Sequence, residues 1–581
     1  MTESDEEKAN TLSKQFASVF TQESENNSPD IRDQDLSWEL ERIQITEENV
    51  SKKLKKLKVG KSPGPDNIHP YVLHELHEIL AQPLAMIFRY SVQNGKLPKE
   101  WKDAYISAIY KKGDRKEPVN YRPVSLTSVI CKVLESIIRD HLVAHMKRNK
   151  LFSSRQFGFI QGRATTLQLL NVLDTWTEII DKKGSIDVIY MDFQKAFDKV
   201  PHHRLIKKIE SYGIKGELLD WVKDFLRNRK QQVVVNGQKS GKMDVTSGIP
   251  QGSVLGPLLF VIFINDLPDV VQNCETFMFA DDTKLFRQVK SKEEEQMLQS
   301  DLSKLETWSN DWLLKFHPQK CKVMTLGYGS NTSTTQYTMN DGNGGSIVLD
   351  RVSNEKDIGV TIDSKLSFET HIHEKINRAN KMMGLIRRTF DNLNEETFSL
   401  LYKGLVRPHL EYANAVWAPY KKKDIKAIEN VQRRATKQIP SLKHLSYEDR
   451  LKKLRLPTLR YRRARGDMIE YFKIMGGIYD PEVTKFLPAG RTTEVTRGHN
   501  KRVFVRQARV NLRKNVFGIR NVINWNELPK NVVAAPNVMS FERRLDRLWR
   551  NEIFKFDWEE CYVGGARLTE ADEMDIEAEL S

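Results

Sequence analysis

Phe279-Ala280-Asp281-Asp282 ends an apolar run that begins at Phe277, and Thr283-Lys284-Leu285-Phe286 follows directly. Two β-rich runs on either side of adjacent carboxylates predict a hairpin with the acidic pair at its turn. Asp is a common turn residue, so the pair alone says no more than that. Upstream, Ile186 to Met191 is an apolar run broken once, at Asp187, and it ends in Asp192. This is the pattern of a buried strand that delivers a carboxylate at its C-terminal end. Side by side, the two strands would converge Asp192, Asp281 and Asp282 on one point. Converging carboxylates repel one another unless a hard cation lies between them. A pair of Mg²⁺ ions held this way can clamp the attacking and leaving oxygens of a phosphoryl transfer.

The composition suits a large, polyanion-binding protein. The chain has 581 residues, enough for three to four domains at roughly 150 residues each. It carries a formal net charge of +15, which points to nucleic acid before membrane. Cys131, Cys274, Cys321 and Cys561 are too scattered for a zinc site and suit a reducing compartment. No apolar leader is present, and the run Leu258 to Ile264 is too short to span a bilayer, so the chain reads as soluble and intracellular.

Taken in order, residues 1–45 are acidic and weakly periodic and read as a mobile lead-in. Thr46-Glu47-Glu48 opens a helix closed at Gly60. Lys61-Ser62-Pro63-Gly64-Pro65-Asp66 is a loop, and a helix is predicted over 71–90. Strands over 104–110 and 121–126 form a hairpin that carries Lys111, Lys112 and Arg122. These are either a solvated charged edge or a triphosphate clamp, with Lys as point charge and Arg as bidentate fork. Helices are predicted over 129–146 and 165–180, around the glycine-punctuated stretch Gln156 to Arg163. The Gly/Pro-rich loop Ser247 to Pro257 is either a plain helix entry or a place where backbone approaches a ligand. Adjacent His202 and His203 do not share a helical face, which argues against a metal site there. A helix over 293–312 and a strand over 321–326 follow. Past residue 365 the texture turns to long basic helices. Phe368, Ile372, Ile376, Ala379, Met383 and Ile386 mark one face, with Lys375, Arg378, Lys381, Arg387 and Arg388 interleaved. The cluster Arg460, Arg462, Arg463 and Arg465, and the basic stretch 491–520 with Phe504, Phe517 and Trp525, read as a groove for phosphates and stacked bases.

The order of these stretches resembles a reverse transcriptase of the LINE type, encoded by non-LTR retrotransposons. Met191 to Asp198 (MDFQKAFD) resembles the family's first palm motif, Ser247 to Pro257 (SGIPQGSVLGP) the second and Phe279 to Asp282 the third. Lys320 to Met324 resembles the fourth, and Lys356 to Val360 the primer grip. Lys61 to Asp66 and Asn120 to Leu126 resemble the fingers motifs. Trp525 to Pro529, with Ser540-Phe541, resembles the C-terminal region of the jockey-like and chicken-repeat-like clades. His317 stands where the family often has Asn, and Ile160 where it often has a basic residue.

The resemblance implies an α+β, right-hand polymerase. Its fingers and palm would occupy 46–365, the palm being an antiparallel sheet with helices. A thumb-like helical region would follow over 366–455, then a basic, mainly helical nucleic-acid-binding region over 456–560 and an acidic tail over 561–581. It further implies RNA-directed DNA polymerisation with two Mg²⁺ ions. Asp192 and Asp281 would bridge the ions, Asp282 would lie at the edge of the site, and the Phe193 carbonyl would help hold the nucleotide-side ion. Lys112 and Arg122 would hold the triphosphate, Phe197 would be the steric gate against a 2′-hydroxyl, and Gln251 and Gly252 would shape the pocket. Lys320 would protonate pyrophosphate. The partners would be an RNA template, a DNA primer or target and dNTPs, with no membrane. Action would be in the nucleus, with an endonuclease supplied in trans. A group II intron maturase, a telomerase-type enzyme and a silent remnant that only binds RNA or DNA are the rival readings. Tyr usually replaces Phe279 in the first, and the second needs a large N-terminal RNA-binding domain.

Overall fold

Ile186–Met191 is the middle strand of a five-stranded sheet in the computed structural model, which describes residues 4–23, 29, 31, 36–327, 335–341, 344–490, 499–560 and 562. On one side it pairs antiparallel with Asp282–Gln288, which turns back onto Glu275–Phe279. On the other it pairs antiparallel with Lys322–Leu326, and the short edge strand Asp350–Arg351 runs parallel to that. Because side chains alternate across a strand, Ile186 and Val188 enter one apolar core and Ile189 and Met191 the opposite one. A sheet buried on both faces explains the near-continuous apolar run. Asp187, the exception, is fully buried but satisfied. Its carboxylate accepts hydrogen bonds from Thr325 Oγ1 at 2.6 Å and Tyr337 Oη at 2.8 Å, and Arg351 lies 3.2 Å away.

One face is covered by helices Val129–Arg148, His202–Ser211, Gly256–Ile264 and Lys292–Asp311. Gly256–Ile264 is apolar all round, as a helix enclosed on every side must be. The other face is covered by Thr165–Asp181 and Glu369–Thr389, whose predicted stripe Ile372, Ile376, Ala379, Met383 and Ile386 is wholly buried. A second sheet is built on the hairpin Asp103–Tyr110 and Tyr121–Leu126, with Arg229–Val235 added in parallel. The helix capped by Thr46 ends at Lys55 rather than Gly60. The helix expected over 71–90 is two, Pro70–Glu75 and His77–Gln93. Among the described residues no helix is long and apolar enough to cross a membrane.

Two expectations need correction. Part of the lead-in is structured. Asp5–Ala17 is a helix whose first turn is capped by Ser4 Oγ, and Ala9 and Phe16 pack on Ala104, Ile106 and Val233 of the second sheet. Beyond it, Glu23 accepts hydrogen bonds from the backbone N–H groups of His203 and Arg204 and pairs with the buried Arg204 guanidinium at 2.8 Å. The sequence hid this because so short a helix gains its stability from docking, not from its own periodicity.

The C-terminal arginines are the second correction. Arg462 pairs with Glu411, Arg465 with Glu542 and Asp546, and Arg460 donates to backbone carbonyls of residues 558 and 559. Arg506 and Arg513 both grip Asp174 on the helix beneath the sheet, and Arg520 grips Asp467. Phe517 and Trp525 are core residues that share one continuous apolar cluster with Val188, Ile372 and Trp417. These groups join the C-terminal helices to the rest of the chain and are not free for phosphates. Residues 491–498, and the predicted tail apart from 562, lie outside the described residues.

Phe16→Ala should lower stability by about 3 kcal/mol, the ordinary cost of deleting a buried aromatic. Denaturant unfolding checks this, and an unshifted midpoint would mean that the N-terminal helix is not docked.

Candidate active site

The strand pairing decides where the carboxylates go. Met191 lies opposite Thr283, and Phe279 opposite Asp282, so the turn is Ala280-Asp281 and Asp282 already belongs to the return strand. Ala280 takes φ +54°, a left-handed backbone that tightens the turn. Asp192 follows its strand immediately and is fixed from the far side. Its carbonyl accepts from the His317 N–H at 2.8 Å, Gln194 N donates to the Lys315 carbonyl at 2.9 Å, and Phe193 stacks on Phe316 at 4.2 Å.

Asp192 and Asp281 line one cavity of about 860 Å³. Phe193, Phe197, Gln251, Lys112, Arg122 and Lys320 line it too, so eight of the ten expected site residues meet there. Asp282 and Gly252 do not line it. Asp282 begins the return strand on the side of Lys284, which alternation places away from Thr283. Gly252, at φ +136°, backs onto Ser125, whose carbonyl a Cβ would strike, while Ser125 N donates to the Gln251 carbonyl at 2.7 Å. Its role is to let the loop close on the second sheet.

The cavity also takes in Lys111, already marked as a possible clamp residue, and residues to which the sequence assigned no role, namely Lys195, Lys199, Lys315 and the strap Val19 to Thr21. Thr21 N donates to Ser247 Oγ at 2.7 Å, and Thr21 Oγ1 donates to the Lys199 carbonyl at 2.8 Å. Asp198 accepts from Gln251 Nε2 at 2.7 Å and so fixes which end of that amide faces the cavity. The lysines sit in ordinary polar stretches, and only the fold gathers them.

The electrostatics are those of an anion-and-cation site. Burial, then the charge of Asp192, raises the Asp281 pKa above the usual carboxylate range. Asp282 is pushed up to about 6 by burial and by the charges of Asp281 and Asp357. Lys199 is lowered by burial and by neighbouring Lys195 and Lys315. Lys320 Nζ lies 3.6 Å from Asp192 Oδ2. Among the described residues no three His, Cys, Asp or Glu side chains form a ready metal cage. Two carboxylates and the carbonyl of residue 193 nevertheless make a hard oxygen donor set facing an open cavity. The repulsion recorded in the raised Asp281 pKa is what a divalent cation relieves, so the residues fit Mg²⁺ completed by substrate oxygens.

Beneath the turn, Lys284 forms a buried ion pair with Asp357 of the hairpin Asn354–Asp357 and Val360–Asp363. Lys284 is 1% and Asp357 4% exposed. The pair ties that hairpin to the strand carrying Asp282.

Residues 109–362 match the family described as Reverse transcriptase (RNA-dependent DNA polymerase). The chain is 29% identical over 463 residues to the "Probable RNA-directed DNA polymerase from transposon BS" of Drosophila melanogaster, covering 76% of this chain and 50% of that protein. It is 30% identical over 412 residues to the RNA-directed DNA polymerase from mobile element jockey of Drosophila funebris, covering 68% and 44%. The jockey protein of Drosophila melanogaster is 29% identical over 407 residues, covering 68% and 44%. The chain thus spans about half the length of the curated relatives it matches.

Lys284→Met should cost about 3–5 kcal/mol, because it strands the buried Asp357 carboxylate. Lys284→Met combined with Asp357→Leu should recover most of that loss. Equilibrium unfolding of the three proteins checks this, and equal losses in single and double variants would refute the pairing.

Proposed function

We propose that this chain, which carries a reverse transcriptase domain over residues 109–362, is an RNA-directed DNA polymerase of a non-LTR retrotransposon that extends a DNA 3′-hydroxyl along an RNA template. The observation that carries the reading is the delivery of Asp192 and Asp281 from paired strands into a cavity otherwise rimmed by cations. The five-stranded sheet then corresponds to the palm, the second sheet with its flanking helices to the fingers, and the helices from Glu369 onward to the thumb. The DNA primer puts the site of action in the nucleus.

Asp192, Asp281 and the carbonyl of Phe193 would hold two Mg²⁺ ions, which supply charge neutralisation and Lewis acidity at the reacting phosphate. Lys112 and Arg122, facing the carboxylates across the cavity, bind the triphosphate by charge and by bidentate hydrogen bonding. The primer 3′-oxygen forms a bond to the α-phosphorus as the bond to the pyrophosphate oxygen breaks. Lys320, protonated and beside Asp192, gives its proton to the departing pyrophosphate. Phe197 stacks on the fully buried Phe260 at 4.4 Å, which holds its ring rigid, as a gate against a 2′-hydroxyl must be. The surface available to the nucleic-acid backbone is the outer face of Glu369–Thr389, where Arg378, Lys381, Arg387 and Arg388 are exposed.

Primer extension on poly(rA)/oligo(dT) with Mg²⁺ tests the reading. Asp192→Asn or Asp281→Asn should reduce extension to background while primer–template affinity stays within a few-fold, since affinity comes from phosphate contacts. Near-normal extension by either variant would sink the assignment. Phe197→Val should admit ribonucleotides while dNTP use persists, read from the ratio of kcat/KM for the two sugars. Loss of both activities in a protein with a lowered melting temperature would make Phe197 a core residue only.

A further inference from the structure

The loop Gln156 to Ile160 is fastened to the strand that leads into Asp281. Phe157 N donates to the Met278 carbonyl at 2.8 Å, and Met278 N donates to the Arg155 carbonyl at 2.9 Å. Gln156 Oε1 accepts from both Gly158 N at 2.7 Å and Ala280 N at 2.8 Å. Gly158 lies so close to Ala280 that a Cβ there would strike its amide nitrogen. Arg163 braces the loop from behind, donating to the Gln156 carbonyl at 2.6 Å and pairing with Asp480 at 2.8 Å.

What this fastened loop presents is Phe159. Its φ is +58°, a left-handed conformation that is costly for a bulky residue. Its side chain is not repaid by burial, because Phe159 is 53% exposed. Phe368, the other aromatic residue with positive φ among the described residues, is 8% exposed and sits in the core. Glycine would make the same turn without strain, so the backbone does not explain the ring. Among the described residues the ring's one aromatic contact is Phe197, edge to face at 6.2 Å and 89°. Phe260, Phe197 and Phe159 therefore form an aromatic row from the core to solvent, whose middle member, Phe197, lines the catalytic cavity.

We propose that Phe159 is a base-stacking residue, whose ring covers a nucleobase of the base pair forming over Phe197. Strain and an exposed apolar ring are both unfavourable in the free protein, and both are offset when a flat apolar ligand covers the ring. A nucleobase beside the cationic cavity is the ligand of that shape, whether it belongs to the templating strand or to the incoming nucleotide. The inference rests on the polymerase reading of the same site.

Phe159→Gly separates ring from backbone. It relieves the left-handed strain, so its melting temperature should hold or rise. Its KM for dNTP or its Kd for primer–template should rise about tenfold, the scale of one lost base stack. Phe159→Tyr and Phe159→Trp should keep near-normal values. An abasic site at the templating position should abolish the difference between Phe159→Gly and the unsubstituted protein if the template base is the one stacked, and should leave the difference if the nucleotide is. Normal KM and Kd in Phe159→Gly, or failure of Tyr and Trp to preserve what Gly loses, would overturn the proposal. Should the unsubstituted protein fail to extend any primer, the polymerase reading falls. Stacking is then still read from the emission of Phe159→Trp, taken as the difference from the unsubstituted protein. Quenching on addition of primer–template, or of the next dNTP to that complex, supports it, and no quenching by either overturns it.

Discussion

Two like charges have to be brought to one place and kept there, and the antiparallel pairing of Ile186–Met191 with Asp282–Gln288 does this. The register opposes Met191 to Thr283, so Asp192, the next residue on one strand, and Asp281, in the turn two residues before Thr283, lie at the same end of the sheet. Slipping the register by one residue would move Ile189 and Leu285 into the opposite core and mismatch the packing on both faces, so packing on both faces of the sheet holds the register that brings the acidic residues together. The Asp281 pKa is raised mainly by burial and further by the charge of Asp192. The surroundings answer the acidic pair with cations: Lys320 beside Asp192, and Lys111, Lys112 and Arg122 across the cavity.

Much of this was legible in the sequence because it depends on local pattern. The strands 121–126 and 186–191 were read to their ends, since apolar continuity and flanking turn residues mark a buried strand sharply. Eight site residues were named from motifs, whose spacing is the spacing of strand ends and tight loops. What was illegible depends on packing at a distance. The helix Asp5–Ala17 has few apolar residues, and the sheet it packs on is built from distant residues, Ala104, Ile106 and Val233. Asp282 reads as half of a pair, but side-chain alternation along a strand separates it from its neighbour as soon as the turn is two residues long.

The C-terminal half shows why a basic composition does not by itself locate a nucleic-acid surface. Arginines at 462, 465, 506, 513 and 520 lie in stretches that look cationic when read along the chain. Each meets an acid from a distant element. Arg506 and Arg513 reach back to Asp174, on the helix packed beneath the sheet. A planar guanidinium suits this use, since it forms forked, directional pairs at partly buried positions where a lysine would offer only a point charge. On the outer face of Glu369–Thr389, by contrast, Arg378, Lys381, Arg387 and Arg388 are exposed, and Lys111, Lys112 and Arg122 line the cavity.

The remaining link is between that basic helix and the chemistry. The hairpin Asn354–Asp357 and Val360–Asp363 is joined to the carboxylate-bearing strand by the buried Lys284–Asp357 pair, while Thr361 N donates to His371 Nδ1 on the basic helix at 3.0 Å. One short hairpin thus touches both the strand of Asp282 and the helix that presents the exposed arginines. A buried ion pair is a weak source of net stability but fixes geometry tightly, because any shift leaves a charge unsolvated. Replacing the pair by apolar residues of similar volume could serve stability as well, but the charged pair is directional, and it joins the hairpin to the strand that starts at Asp282, next to Asp281.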